Sequence, residues 1–293
     1  MKKKIYTALG LMSGTSMDGI DVSLIRSDGY DEFSDILDEY YEFDDNLRKD
    51  LIKLRELISN HEDLSKFSKD LTNLDQKITL FHADKVNQIL LKFKDDIDII
   101  GFHGQTIFHD SKIKISKQLG DGKLLSQLLK KKVIYDFRQE DINNDGQGAP
   151  LTPIFHYLIS KNIKKKSETK YSIGIINIGG ITNITNVMSY SNKLEENITA
   201  YDIGPGNCLI DEWIRKNSNK KFDENGLIGK SGKINQLILN QVIENFQINT
   251  YKNSLDIKDF DISFAKGLSL EDGCATITNF TGYLIARGIE YSY

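Results

Sequence analysis

The sequence predicts an α/β protein of two domains. Strand-like and helix-like hydrophobic patterns alternate along it, and a strand, a glycine turn and a second strand open each half. Its 293 residues suit two domains of ordinary size, with one large α/β domain as the rival arrangement. The boundary is expected near residue 150, giving domains 1–150 and 151–293.

The first half opens with a hairpin. Ile5 to Leu11 reads as a strand, Ser13 to Gly19 as a turn of small and polar residues, and Ile20, Val22 and Leu24 alternate with Asp21 and Ser23 as a strand with one buried face. Residues 45–95 read as helices. Leu47, Leu51, Leu54 and Ile58 recur at steps of three and four, as do Leu71, Leu74, Ile78 and Phe81, then Val86, Ile89, Leu90 and Phe93. Such stripes are core packing. A strand from Ile97 to Phe102 is expected to end at His103-Gly104-Gln105-Thr106, and one from Lys132 to Phe137 to end at Arg138, with loop over 139–150.

A helix over about 151–161 and a lysine-rich loop over 161–170 lead to the second half. Ser172 to Ile178 is a strand, Gly179-Gly180 a break, and Ile181 to Val187 a further strand. The resemblance between the openings of the halves hints at duplication, although residue identities do not repeat. A short strand ends at Asp202, before Gly204-Pro205-Gly206-Asn207. Leu209, Ile210, Trp213 and Ile214 mark a helix. Ser269, followed by Glu271 and Asp272, caps a last helix expected to reach about Arg287.

Composition excludes several classes. With 39% hydrophobic and 27% charged residues the chain is globular rather than disordered, and prolines at only Pro150, Pro153 and Pro205 exclude Pro-rich linkers. A balance of 38 basic against 42 acidic residues offers nucleic acid no electrostatic footprint. Cys208 and Cys274 cannot form a disulfide framework and fit a reducing, cytoplasmic setting. His61, His82, His103, His109 and His156 lack zinc-site spacing. The lysines at 2–4 and the apolar stretch 5–12 imitate a signal peptide. That stretch is short, is broken by Thr7 and lacks a small-residue cleavage site before Asp18. No run approaches the ~18 apolar residues of a membrane span.

Three apparent motifs fail on inspection. Gly229-Lys230-Ser231 has Glu224 where a P-loop needs its first glycine, Gly204-Pro205-Gly206 lacks the third glycine of a dinucleotide fingerprint, and Asp18 stands where a nucleophile elbow around Ser16 needs glycine. The turn Gly14-Thr15-Ser16-Met17-Asp18-Gly19, running into Ile20 and Asp21, is more informative. It offers backbone N–H groups, two hydroxyls and a carboxylate, as a phosphate nest does, with Asp18 or Asp21 within reach of Mg²⁺. A plain hairpin turn is its rival. Gly179-Gly180 makes a second such turn, and two of them suit a nucleotide held between two domains. Asp202, expected at a strand's carboxyl end, suits a general base or, equally, a turn-closing aspartate. His103 is either catalytic or structural. Arg138 suits a carboxylate or phosphate, or an ion pair with Asp136 or Asp141.

Together these motifs resemble those of the anhydro-N-acetylmuramic acid kinases. Gly10 to Asp21 is similar to their opening motif. Gly101-Phe102-His103-Gly104-Gln105-Thr106, Asp136-Phe137-Arg138, Gly146 to Leu151, Asn177 to Asn183 and Asp202 to Asn207 follow in the family's order. The resemblance covers residues 5–285. It implies two actin-like, ribonuclease-H-like domains of the sugar kinase/hsp70/actin superfamily, with ATP in the cleft between them. It also implies an activity: hydrolytic opening of the 1,6-anhydro ring and phosphorylation of O6, giving N-acetylmuramic acid 6-phosphate in peptidoglycan recycling and amino-sugar catabolism. By resemblance Gly14, Thr15, Ser16, Met17, Asp18, Gly19, Ile20, Asp21, Gly179 and Gly180 bind ATP with Mg²⁺. Asp202 activates the attacking water, and His103, Gln105 and Arg138 line the sugar side, Arg138 facing the lactyl carboxylate. Neither nucleic acid nor membrane is an expected partner, and the second half offers a surface for a homodimer.

Members of that family continue past the segment that matches 269–287, with a Gly-Gly-Gly-Ser-x-Asn-like turn at the adenosine and a Gly-Asp-Asp-x-Glu-like segment. Neither motif occurs in these 293 residues. The second domain is therefore expected to be incomplete. A non-catalytic remnant that at most binds the sugar is the alternative, and an ATP-independent hydrolase using Ser16 or Asp202 a more distant one.

Overall fold

The computed structural model describes residues 4–167, 171–189, 197–246, 251 and 255–291. The chain divides into two compact units, Met1–Leu151 and Thr152–Tyr293.

In the first unit β1 (Tyr6–Ser13), β2 (Gly19–Ser27) and β3 (Phe33–Glu42) form an antiparallel meander. The sequence reading does not assign β3. It is an acid-rich edge strand, and charge on an edge discourages further strand pairing. Helices α1 (Asp45–Leu57), α2 (His61–Lys66) and α3 (Ser68–Lys92) occupy the expected helical region. Asp44 caps α1, and Asn60 with Asp63 forms a capping box that starts α2. The expected stripes are buried at Leu47, Leu51, Leu54, Ile58, Leu71, Leu74, Ile78, Val86 and Ile89, and they share a core with Leu9, Ile20, Leu24 and Phe102.

Strand β4 (Ile99–Asp110) pairs in parallel with β1. His103 to Thr106 therefore lie inside a strand rather than at its end. Beyond them β4 pairs antiparallel with β5 (Ile115–Leu119), which leads into α4 (Gly122–Leu129). Polar residues with a glycine read locally as a turn, yet here they form a bulge. Leu11 faces Phe102 and Ser13 faces Gln105, so β4 carries one residue more than β1. Gly104, at φ +72, takes up the difference, and a Cβ there would collide with the Leu119 carbonyl. Ile100 and Phe102 join the core before the bulge, and Ile107 after it.

The strand expected over 132–137 shrinks to β6 (Val133–Ile134), paired with Ile100 and Gly101. Asp136 turns to φ +60 and α5 (Phe137–Asn143) begins at once, so Arg138 sits in a helix's first turn rather than at a strand end.

In the second unit α6 (Pro153–Ser167) outruns its expected end at 161. Lysines are good helix formers, so the lysine-rich stretch over 161–167 continues the helix where a loop was expected; 168–170 lie outside the described residues. A second antiparallel meander follows: β7 (Ile173–Ile178), β8 (Ile181–Val187) and β9 (Ile198–Pro205). Strand β9 runs three residues past Asp202, because Gly204 and Pro205 pair with Thr182 and Ile181. Helices α7 (Cys208–Asn217), α8 (Leu227–Ser231), α9 (Gln236–Asn245) and α10 (Leu270–Glu290) complete the unit. Leu209, Trp213, Ile214, Leu239, Ile277, Phe280 and Leu284 form its core. Ser269 caps α10 as expected, accepting from the Asp272 N–H. No described helix is long and apolar enough to cross a membrane.

His82, on α3, is fully buried with its ring edge-on to Phe102. Its Nδ1–H donates to the Ile78 carbonyl at 2.8 Å, and burial lowers its pKa to about 4. The unfolded chain, whose histidines keep their ordinary value, binds the proton first. This contribution is therefore whole above pH about 6.5 and is lost as pH falls toward 4, at about 1.4 kcal/mol per pH unit. In thermal unfolding between pH 7 and 4, His82→Leu should reduce the pH dependence of stability by about one proton relative to the unmodified chain. Gly104→Ala should cost about 2–4 kcal/mol in denaturant unfolding, through the left-handed backbone and the Leu119 collision.

Candidate active site

The β1–β2 turn is built from below. The Met17 N–H closes it on the Gly14 carbonyl at 3.3 Å, and the Met17 side chain is buried in the core. Thr15 and Ser16 are left at the surface. Ser16 Oγ donates to Asp18 Oδ1 at 2.6 Å, and the Asp18 carbonyl accepts the Phe43 N–H at 2.8 Å, tying the turn to the end of the meander. The Asp21 pKa is raised, first by burial and then by the Asp18 charge. Burial and the carboxylates of Asp18, Glu42 and Asp21 push Tyr40 up to about 12. Acidic groups that hold one another's protons in this way favour a cation beside them.

No group of three or more His, Cys, Asp or Glu side chains among the described residues could hold a metal ion. Asp18 and Asp21 are two carboxylates. Mg²⁺ commonly takes one or two from the protein and completes its shell with water and phosphate oxygens, so this pair fits it.

On β4 the sequence-predicted residues separate into two groups. Gln105 is buried beneath the turn: its Nε2 donates to the Gly14 carbonyl at 2.9 Å, and Ser13 Oγ donates to its Oε1 at 2.6 Å. His103 meets Arg138 instead. The guanidinium Nε–H donates to His103 Nε2 at 2.8 Å, and Nη1 donates to the Gly148 carbonyl at 2.8 Å. Arginine cannot accept, so His103 must present a lone pair at Nε2 and keep its proton on Nδ1, which donates to the Gly104 carbonyl at 2.7 Å. Burial, then the Arg138 charge, lowers the His103 pKa to about 4. A neutral imidazole that already accepts from arginine orients its partner and is poorly placed to carry protons. Asp141 bonds the same segment, accepting the Gly148 N–H at 2.7 Å.

In the second unit two glycine turns are stapled together. The Gly206 N–H donates to the Gly180 carbonyl at 2.9 Å and the Asn207 N–H to the Gly179 carbonyl at 2.7 Å. A Cβ at Gly206 would collide with the Gly179 carbonyl. Asp202, buried on β9 opposite Asn183, accepts the Leu255 N–H through Oδ2 at 2.8 Å. It therefore ties down residue 255, while α7 has Asn207 at its N-cap position. Burial, joined at Cys274 by the Asp223 carboxylate, pushes the thiols of Cys208 and Cys274 up to about 12, which disfavours the thiolate at neutral pH. Gly229, of the rejected P-loop, sits on α8 with its N–H bonded to Asp223 Oδ2 at 2.9 Å.

The sequence reading did not single out Ser13 or Gly148. Ser13 lay in plain view within the opening motif, but its pairing with Gln105 spans 92 positions and leaves no local signal.

Two units, each containing a three-stranded antiparallel meander with a glycine turn between its first two strands, make this an α/β protein of the actin-like sugar-kinase class. A family model for anhydro-N-acetylmuramic acid kinase matches residues 6–254. An anhydro-N-acetylmuramic acid kinase of Pelagibacter ubique is 51% identical over 290 residues, covering 98% of this chain and 75% of that protein. Those of Agrobacterium fabrum and Zymomonas mobilis are 36% and 35% identical, with 98% and 97% of this chain and 76% and 77% of theirs covered. The chain belongs to the anhydro-N-acetylmuramic acid kinase family.

The close approach at Gly206 gives a stability test. Gly206→Ala should destabilise the second unit by about 1–3 kcal/mol in thermal unfolding and speed hydrogen exchange at Asn207, whose bond to Gly179 it opens.

Proposed function

We propose that this chain uses ATP to phosphorylate anhydro-N-acetylmuramic acid, opening the 1,6-anhydro ring with water and placing the phosphate on O6. Family membership supports the reaction. The observation in the molecule that carries it furthest is the Gly14–Asp18 turn, anchored from below with hydroxyls and carboxylates at its rim. Phosphoryl transfer needs positioning and charge neutralisation more than covalent help, and such a turn serves both.

Gly14 to Asp21 and Gly179-Gly180 are assigned to the ATP phosphates. Asp18 and Asp21 would hold Mg²⁺, which neutralises developing phosphate charge when bound. Asp202 takes a proton from water as the water oxygen bonds to the anomeric carbon. The bond from that carbon to O6 breaks, and the freed O6 attacks the γ-phosphorus as its bond to the ADP oxygen breaks. The proton stays on Asp202 until solvent removes it. A carboxylate offers about four lone-pair sites, so the bond from Leu255 is compatible with accepting from water as well. Arg138, oriented by His103 and Gly148, is assigned to the lactyl carboxylate.

Mass spectrometry of a reaction with ATP, Mg²⁺ and the anhydro-sugar should detect one sugar phosphate per ADP, and absence of both would overturn the activity. Asp202→Asn should lower kcat about 10²–10⁴-fold while the protein stays folded, because the amide oxygen still accepts from Leu255. Arg138→Met should raise KM for the sugar about 10–100-fold, and hardly change turnover of an anhydro-sugar without the lactyl carboxylate. Equal losses on both sugars would remove Arg138 from that role.

A further inference from the structure

We infer that Gln105 is a positioning residue for the nucleotide-phosphate turn and does not contact the sugar. This rests on the reading of Gly14–Asp21 as the turn that holds the ATP phosphates.

Gln105 and Ser13 are 0% and 1% exposed, so Gln105 presents no surface to a ligand. The polarity of its amide is fixed by its partners. The Gly14 carbonyl can only accept, so the NH₂ faces it at 2.9 Å, and Oε1 is left facing Ser13 Oγ at 2.6 Å. The hydroxyl must then donate to Gln105, with the Gly19 carbonyl its other neighbour at 3.0 Å. One buried amide thus links the last residue of β1 to the first residue of the turn.

The consequence for a ligand follows from peptide geometry. In a trans peptide the C=O and N–H point in opposite directions. Gln105 draws the Gly14 carbonyl toward β4, so the Thr15 N–H of the same peptide points away from β4, on the side where Thr15 and Ser16 are exposed. The Gly14 carbonyl is also engaged by the Met17 N–H at 3.3 Å, so the peptide is held from two directions. An N–H fixed in advance toward an anion binds it better than one that must first be oriented. Gln105 reaches this place through the bulge at Gly104, which brings position 105 opposite Ser13.

The test separates the two substrates kinetically. Gln105→Met keeps the bulk and removes both hydrogen bonds. Gln105→Glu keeps an acceptor for Ser13 but cannot donate to Gly14 while ionised. Both should raise KM for ATP about tenfold and leave KM for the anhydro-sugar within about twofold. Ser13→Ala, which removes only the hydroxyl that orients the amide, should shift KM for ATP in the same direction by a smaller factor. This variant keeps the test open if the Gln105 variants fail to fold. A rise in sugar KM with ATP KM unchanged would make Gln105 a sugar contact and overturn the inference. An equal rise in both, or no change in either, would also overturn it. Calorimetry of Mg-ATP with the unmodified chain runs alongside. Absence of binding there would sink the phosphate-turn reading itself, whereas binding with no ATP-selective effect of the variants would sink only the role of Gln105.

Discussion

The bulge at His103 and Gly104 is the constraint on which the candidate site of the first unit depends. Parallel pairing with β1 sets the first part of β4, and antiparallel pairing with β5 sets the second. One extra residue lies between them, and only a left-handed backbone without a Cβ fits beside the Leu119 carbonyl. That residue places Gln105 under the glycine turn and turns His103 to Arg138. The residues expected to end the strand are thus the ones that organise it.

The two units reach similar turns by different locks. Each contains a hairpin whose second strand pairs with a third, antiparallel. In the first unit a buried side-chain amide fixes the turn. In the second, backbone meets backbone: Gly206 and Asn207 donate to Gly180 and Gly179 at a separation that excludes a Cβ. The likeness that the sequence hints at is thus one of strand order in these meanders, and the residues that lock the two turns differ.

Two histidines of the first unit, the fully buried His82 and the half-buried His103, have structural roles. His82 and His103 are kept neutral mainly by burial, and each donates through Nδ1 to a nearby carbonyl. For His103 that tautomer is what lets Nε2 accept from Arg138 and fix the plane of the guanidinium. The carboxylates of Asp18 and Asp21 lie nearer the surface, where water and a cation can compensate their charge.

Local pattern and motif order determined a large part of this protein. The helical stripes from Leu47 to Phe93, the two opening hairpins, the cap at Ser269 and the family all follow from residues close in sequence, because periodicity, capping and turn chemistry act over a few positions. Two of the differences arise where a distant strand overrides local preference. His103 to Thr106 form a bulge rather than an end because β5 pairs beyond them, and β9 continues through Gly204 and Pro205 because β8 runs alongside. The same holds for the site. Sequence named Gln105, Arg138 and Asp202, but tertiary structure alone decided that Gln105 bonds Gly14, Arg138 bonds His103 and Asp202 bonds Leu255. Those contacts span 35 to 91 positions, and a hydrogen bond depends on the angle and distance between its atoms in space, to which sequence separation is blind.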